Sequence, residues 1–84
     1  MNRYLILTLR TPRFQISIVE QHRQFLDRLR VEGKIELAGP FTDQSGGAYI
    51  LNAETFEEAK AIAHQDPVFT TGFSQIIIYE WKAA

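Results

Sequence analysis

The run Tyr4-Leu5-Ile6-Leu7-Thr8-Leu9 is apolar at both parities, and it limits the possible folds more than any other feature of the chain. Successive side chains of a strand point to opposite faces, so Tyr4, Ile6 and Thr8 need cover on one side and Leu5, Leu7 and Leu9 on the other. The stretch from Phe73 to Trp81 repeats the pattern: Phe73, Gln75, Ile77, Tyr79 and Trp81 alternate with Ser74, Ile76, Ile78 and Glu80. A sheet buried on both sides follows. With 84 residues, 45% of them hydrophobic, the chain has material for one domain spanning 1–84. Such a domain buries only about 60% of its unfolded surface. The sequence has no cysteine, which removes disulfide staples, thiolate metal sites and a cysteine nucleophile together. A partner subunit is the remaining way to extend a thin core.

Between these strands the pattern changes period. Arg10-Thr11-Pro12-Arg13 breaks the first strand, because Pro12 cannot donate to a ladder. Ser17-Ile18-Val19-Glu20 has the S-x-x-E form of a capping box and predicts a helix from there, with Ile18, Phe25, Leu26 and Leu29 as its apolar stripe. His22 falls in that stripe, and Gly33 supplies a left-handed stop. Lys34 to Phe41 reads as a half-buried strand with Ile35, Leu37 and Gly39 on one face. The turn formers Thr42 to Gly47 then lead into Ala48-Tyr49-Ile50-Leu51, so Gly46-Gly47 reads as hairpin turn chemistry. Thr55-Phe56-Glu57-Glu58 repeats the capping-box form before a short helix packed through Phe56, Ala59, Ile62 and Ala63, which ends before Asp66-Pro67. The resulting order is β-α-β-β-α-β. It suits an α+β, ferredoxin-like split βαβ arrangement: a four-stranded antiparallel sheet with both helices on one face. The other face is then bare, and a second copy of the same sheet is the simplest cover, making a homodimer.

The charge excludes some partners. A net charge of −1 with both signs interspersed gives no footprint for a phosphate backbone or an anionic membrane, so no nucleic-acid or membrane partner is expected. Apolar runs such as Ile76-Ile77-Ile78 are far too short to span a bilayer, and the N-terminal residues lack a signal-peptide pattern, so a cytoplasmic protein is expected.

The chemistry-bearing residues are few. A titratable imidazole on an apolar stripe needs a partner, which makes His22 the first candidate; it also reads as a satisfied core histidine. Asp66, where the chain turns back toward the last strand, allows a His and Asp pair in which the carboxylate fixes the ring tautomer; Asp before Pro also reads as a turn initiator. His64, near the end of the second helix, reads as a complement to the helix dipole. Two histidines so far apart, without thiolates, match no metal-ligand spacing, and no cofactor or metal is expected. Arg10 and Arg13 are suited to hold a carboxylate, whereas Tyr4 and Tyr49 read as strand residues.

Taken together, the Tyr4–Leu9 strand, His22-Arg23-Gln24-Phe25-Leu26 with Leu29 and Gly33, Ala38-Gly39-Pro40, Gly47 with the Ile50 strand, Glu57-Glu58-Ala59, and Asp66-Pro67 with the aromatic close at Trp81 resemble the YciI-like (YCII-related) family. The resemblance spans almost the whole chain. It implies a dimeric ferredoxin-like α/β barrel, similar in fold to muconolactone isomerase, in dimers or assemblies of dimers. It also implies that His22 and Asp66 are a catalytic pair beside a small-ligand cleft. Tyr4, Arg10, Gly39, Pro40, Pro67 and Phe69 are the residues expected to contact a ligand there. Relatives linked to dehalogenation or lactone chemistry imply acid/base work on a small carbonyl, lactone or halogenated acid. The alternative is a noncatalytic dimeric binding module. One departure from the family pattern stands out: Val68 follows Asp66-Pro67 where many relatives have phenylalanine, and Phe69 comes one residue later, leaving open which of the two lines the cleft.

Overall fold

In the computed structural model, which describes residues 1–84, the strands are β1 (Asn2–Arg10), β2 (Ile35–Pro40), β3 (Gly46–Ala53) and β4 (Ser74–Glu80). A 3-10 turn at Ile16–Ile18 leads into α1 (Val19–Val31), and α2 (Phe56–Ala63) and a single-turn α3 (Pro67–Thr70) lie between β3 and β4. The sheet runs β2-β3-β1-β4, with every neighbouring pair antiparallel. This is the predicted α+β, ferredoxin-like arrangement. β1 is central, opposing β3 through Ile6↔Tyr49 and β4 through Ile6↔Ile78. Its alternation decides the core: Tyr4, Ile6 and Thr8 are buried beneath the helices with Tyr49 and Leu51, while Leu5, Leu7 and Leu9 on the opposite side are half-exposed.

The helix ends show which local signals act. After α1, Gly33 adopts φ 76°, its N–H reaches the Arg30 carbonyl at 3.0 Å and the Lys34 N–H reaches Leu29 at 2.9 Å, the paired closure expected of a left-handed glycine stop. At α2, Thr55 is extended and its side chain accepts from the Glu58 N–H, as predicted. The expected capping box at Ser17 does not form. Ile18, the residue before α1, is itself helical (φ −75°, ψ −17°) because the 3-10 turn runs straight into the helix, and the extended residue is Gln15. A side-chain cap needs extended backbone at the cap position. Ser17 is therefore exposed, and Glu20 instead pairs with Arg23 one turn on.

Two strand expectations also change. β2 carries an irregularity: Ile35 faces Leu51 but Leu37 faces Ile50, so one residue is skipped and every later side chain changes face. Ile35 is buried, as expected, but Leu37 is 68% exposed and does not share its face. Gly46 and Gly47 do not form the hairpin turn. The turn is Phe41–Ser45, with Gln44 in the left-handed region (φ 66°) and the Asp43 carboxylate accepting from both the Ser45 N–H and hydroxyl. These two bonds, the hydroxyl's first, hold the Asp43 carboxyl below its ordinary range. The glycines open β3 where backbones crowd: a Cβ on Gly46 would lie 1.8 Å from the Thr8 carbonyl oxygen, and one on Gly47 would lie 2.7 Å from that of Gly39. No helix is long and apolar enough to cross a membrane.

Candidate functional site

The residues at one end of the sheet surround a cleft of about 360 Å3 between α1, the starts of β3 and β4, the ends of β1 and β2, and α3. His22 enters it from α1, one turn after buried Ile18 and one turn before buried Leu26, so the stripe that packs the helix also aims the imidazole inward. Its side chain is 22% exposed.

Asp66 stands behind the histidine and is fully buried. Proline at 67 disfavours helical backbone at its predecessor, and Asp66 is extended (φ −62°, ψ 129°). That conformation makes it the cap of α3, its Oδ1 accepting from the Val68 N–H at 3.0 Å, while Pro67 has no N–H needing a partner. The same carboxylate meets His22 Nδ1, which lies 2.9 Å from Oδ1 and 2.8 Å from Oδ2; only the Oδ1 contact has hydrogen-bond angles. Both readings of Asp66 therefore hold: it is a turn residue and a histidine partner. An ionised carboxylate only accepts, so it places the ring proton on Nδ1 and leaves Nε2 without a protein partner. No third His, Cys, Asp or Glu joins the pair to form a metal-holding group.

Arg10, Gly39 and Pro40 line the cleft; Tyr4, Pro67 and Phe69 do not. Tyr4 is 1% exposed in the core, with its ring edge-on to Phe56 at 6.2 Å. Its even position on β1 puts it on the helix face, but too far along the strand to reach the cleft. Phe69 stacks on His64 at 4.1 Å between ring centroids, and Val68 forms the wall instead. The wall is thus aliphatic at this position. His64 ends α2, as expected of a C-terminal histidine, with the Phe69 ring covering it.

Three arginines line the cleft. Arg23 pairs with Glu20 and Arg30 with Asp27, while Arg10 has no acidic partner and lies over the Phe14 ring, 4.0 Å from its centroid. The cleft thus offers an unpartnered guanidinium, an aromatic surface, apolar walls at Val19, Leu26 and Val68, and one imidazole nitrogen. The reading of the sequence missed Phe14 and Tyr49 as lining residues, and the choice it left open between Val68 and Phe69 falls to Val68. Tyr49 was legible in principle, since it shares the buried parity of Leu51 and Ala53 along β3; Phe14 sits in an aperiodic loop that gives no signal. Tyr49 is 2% exposed and its hydroxyl has no partner. Burial first, and the Asp66 charge second, raise its phenol well above the ordinary tyrosine range.

Fold and site together define a ferredoxin-like α+β protein with a histidine–aspartate pair at a small cleft. The YCII-related domain matches residues 3–82. The chain is 46% identical over 82 residues to the uncharacterized protein YjpA of Bacillus subtilis, covering 98% of this chain and 96% of that one. The chain belongs to the YCII-related family. Among solved structures it is similar to 5-chloro-2-hydroxyhydroquinone dehydrochlorinase (TftG) from Burkholderia phenoliruptrix in complex with 2,5-dihydroxybenzoquinone, with a TM-score of 0.76, 22% identity and coverage of 98% of this chain and 95% of that one. At that identity the likeness speaks for the fold.

Proposed function

We propose that this protein is an acid/base enzyme for a small oxygenated ring compound, with His22 moving the proton, Asp66 orienting His22, and Arg10 holding an oxyanion of the substrate. The observation that carries the reading is the buried Asp66 carboxylate on His22 Nδ1, which turns Nε2 into a directed base beside an apolar cleft. The ligand class is supported by Arg10 over Phe14 and by the dihydroxybenzoquinone bound to the fold relative. Gly39 and Pro40 line the same cleft.

A chlorinated hydroxyhydroquinone suits such a site because its dehydrochlorination needs only proton transfers. A ring hydroxyl gives up its proton, and the chlorine-bearing carbon takes one and becomes tetrahedral. Loss of a second hydroxyl proton then expels chloride with the C–Cl electron pair. The ring leaves as a quinone, so its oxidation is balanced by replacement of C–Cl with C–H, and the net loss is HCl. One imidazole alternating between base and acid serves both steps.

The half-exposed sheet face, with Leu5, Leu7, Tyr79 and Trp81, supports a second copy of this chain as its cover, giving a homodimer. Asp66 also caps α3, which favours as second reading a binding module in which the pair is structural. The test is a panel of chlorinated hydroxyhydroquinones and small lactones assayed for chloride release or ring opening. Turnover that falls by about a hundredfold to ten-thousandfold in His22→Ala is the expected result. Turnover that survives His22→Ala removes the histidine from the mechanism, and saturable binding without turnover across the panel favours the module.

A further inference from the structure

Three hydroxyl-bearing residues line the cleft, Thr8, Tyr49 and Ser74, and two of their hydroxyls are unavailable to a ligand. Thr8 donates to the Gly47 carbonyl at 3.3 Å, and the Tyr49 hydroxyl is closed off from solvent. Ser74 differs from both. Its side chain makes no hydrogen bond within the chain, and the only side-chain polar atoms both buried and unpartnered are the Tyr49 hydroxyl and Asp66 Oδ2. The Ser74 hydroxyl is therefore open, on a residue that is otherwise buried and lines the cleft. Ser74 also stands directly opposite Arg10 in the β1–β4 ladder. Opposed residues of an antiparallel pair keep their Cβ atoms about 4.5–5.5 Å apart on one face of the sheet. Arg10 is equally unspent: Arg23 and Arg30 are taken up by Glu20 and Asp27, whereas Arg10 lies over the Phe14 ring, which steadies the guanidinium without using its N–H donors.

We propose that Ser74 and Arg10 form one anion subsite on the sheet side of the cleft, which takes a planar anionic group through two adjacent oxygens. The guanidinium supplies the charge and a fork of donors, and the Ser74 hydroxyl supplies a neutral donor that fixes how the group is turned. A carboxylate has this chemistry, and so does a ring that carries an oxyanion next to a hydroxyl. The inference rests on the reading of this cleft as the ligand site and adds Ser74 to the residues that touch the ligand. A lone arginine tolerates many orientations of an oxyanion. A second donor from the neighbouring strand selects one, and so sets which ring carbon faces His22.

The test is an NMR titration of wild type, Ser74→Ala, Arg10→Gln and the double variant with benzoate, with the 4-nitrocatechol monoanion, and with benzamide as an uncharged control. In wild type the Arg10 and Ser74 resonances should respond saturably to at least one anion; the tighter of the two tells a carboxylate from paired ring oxygens. Ser74→Ala should weaken that anion by about tenfold to a hundredfold and benzamide much less. The double variant should lose less than the product of the two single losses, because one anion engages both side chains. The melting midpoint of Ser74→Ala should stay at the wild-type value, since the hydroxyl has no partner to lose. Unchanged anion affinity in Ser74→Ala overturns the proposal, as does an equal loss for benzamide or a lowered melting midpoint, which would give the hydroxyl a partner inside the protein. No response of Arg10 and Ser74 to either anion in wild type overturns it without a variant. Turnover separates the two readings. Anion binding that depends on Ser74, without turnover of any compound on the panel, removes the acid/base reading and leaves the subsite; turnover with an unchanged KM in Ser74→Ala removes the subsite alone.

Discussion

The two faces of the sheet are built from the same strands and end in different states. On the helix side Tyr4, Ile6, Tyr49 and Leu51 are at most 2% exposed, and the face ends in the cleft with His22. On the other side Leu5, Leu7 and Leu9, one residue out of phase on β1, are only half-covered, and Tyr79 and Trp81 are 55% and 44% exposed. The difference is one of cover: two helices and a cap can seal one face of four strands, and the sequence gives the other face nearly as much apolar surface. Contiguous apolar surface of that kind marks an interface. The candidate site belongs to the face this chain closes by itself, and the proposed second copy to the face it leaves open.

The sharpest way to break that comparison is to place one charge on each face of β1. Ile6→Asp puts an unpaired carboxylate in the sealed core, should cost about 3–5 kcal/mol out of a typical 5–15, and should abolish or greatly weaken the cooperative melt. Leu7→Asp, the next residue, should leave the chain folded as a monomer in sedimentation at micromolar concentration. Equal unfolding by both would mean that the two faces are not distinct, and an unchanged mass for Leu7→Asp would count against the second copy.

A smaller effect concerns alkaline pH. The Tyr49 phenol is raised in the folded protein from an ordinary value of 10.0, so above about pH 10 the unfolded chain loses this proton while the folded chain keeps it. The stabilisation is fully present below pH 10 and is lost as pH rises beyond it, by up to about 1.4 kcal/mol per pH unit. Denaturant melts between pH 9 and 11 should show that loss in wild type and a shallower one in Tyr49→Phe; equal slopes would assign it to other groups. The smallest effect is at the hairpin tip. Asp43 is lowered by its bonds from Ser45, so its contribution is present above the ordinary carboxylate range and lost as pH falls through its folded value. Asp43→Ala should slightly flatten the acid limb of the stability curve below the ordinary carboxylate range and leave the neutral melt almost unchanged.

Much of the fold was legible because its signals are local. The parity of β1, the glycine stop at Gly33 and the cap at Thr55 each depend on a few adjacent residues, and each forms as read. Ser17 shows the limit. The S-x-x-E pattern is the same in kind as that at Thr55, but the backbone before α1 is already helical, and a motif cannot report the dihedral it needs. Leu37 shows another: a single skipped residue inverts a strand's faces, and nothing in Ile35-Glu36-Leu37 marks it. The candidate site was legible in part. The stripe singled out His22 and the turn at Asp66 allowed a pair with it, but the contact across 44 residues depends on the packing of α1 against the α3 turn, and the family resemblance was needed to favour it over a plain turn residue. Val68 and Phe69 lie next to each other, and the turn of α3 alone decides that one lines the cleft while the other covers His64.

The central claim is that Asp66 holds His22 in one tautomer with Nε2 presented to the cleft. The most direct measurement is the nitrogen-15 spectrum of the His22 ring in wild type and in Asp66→Asn, recorded under conditions where the imidazole is neutral. The account predicts a single tautomer protonated at Nδ1 in wild type and a mixture, or the other tautomer, in Asp66→Asn. A wild-type ring protonated at Nε2, or the same pattern in both proteins, would contradict it.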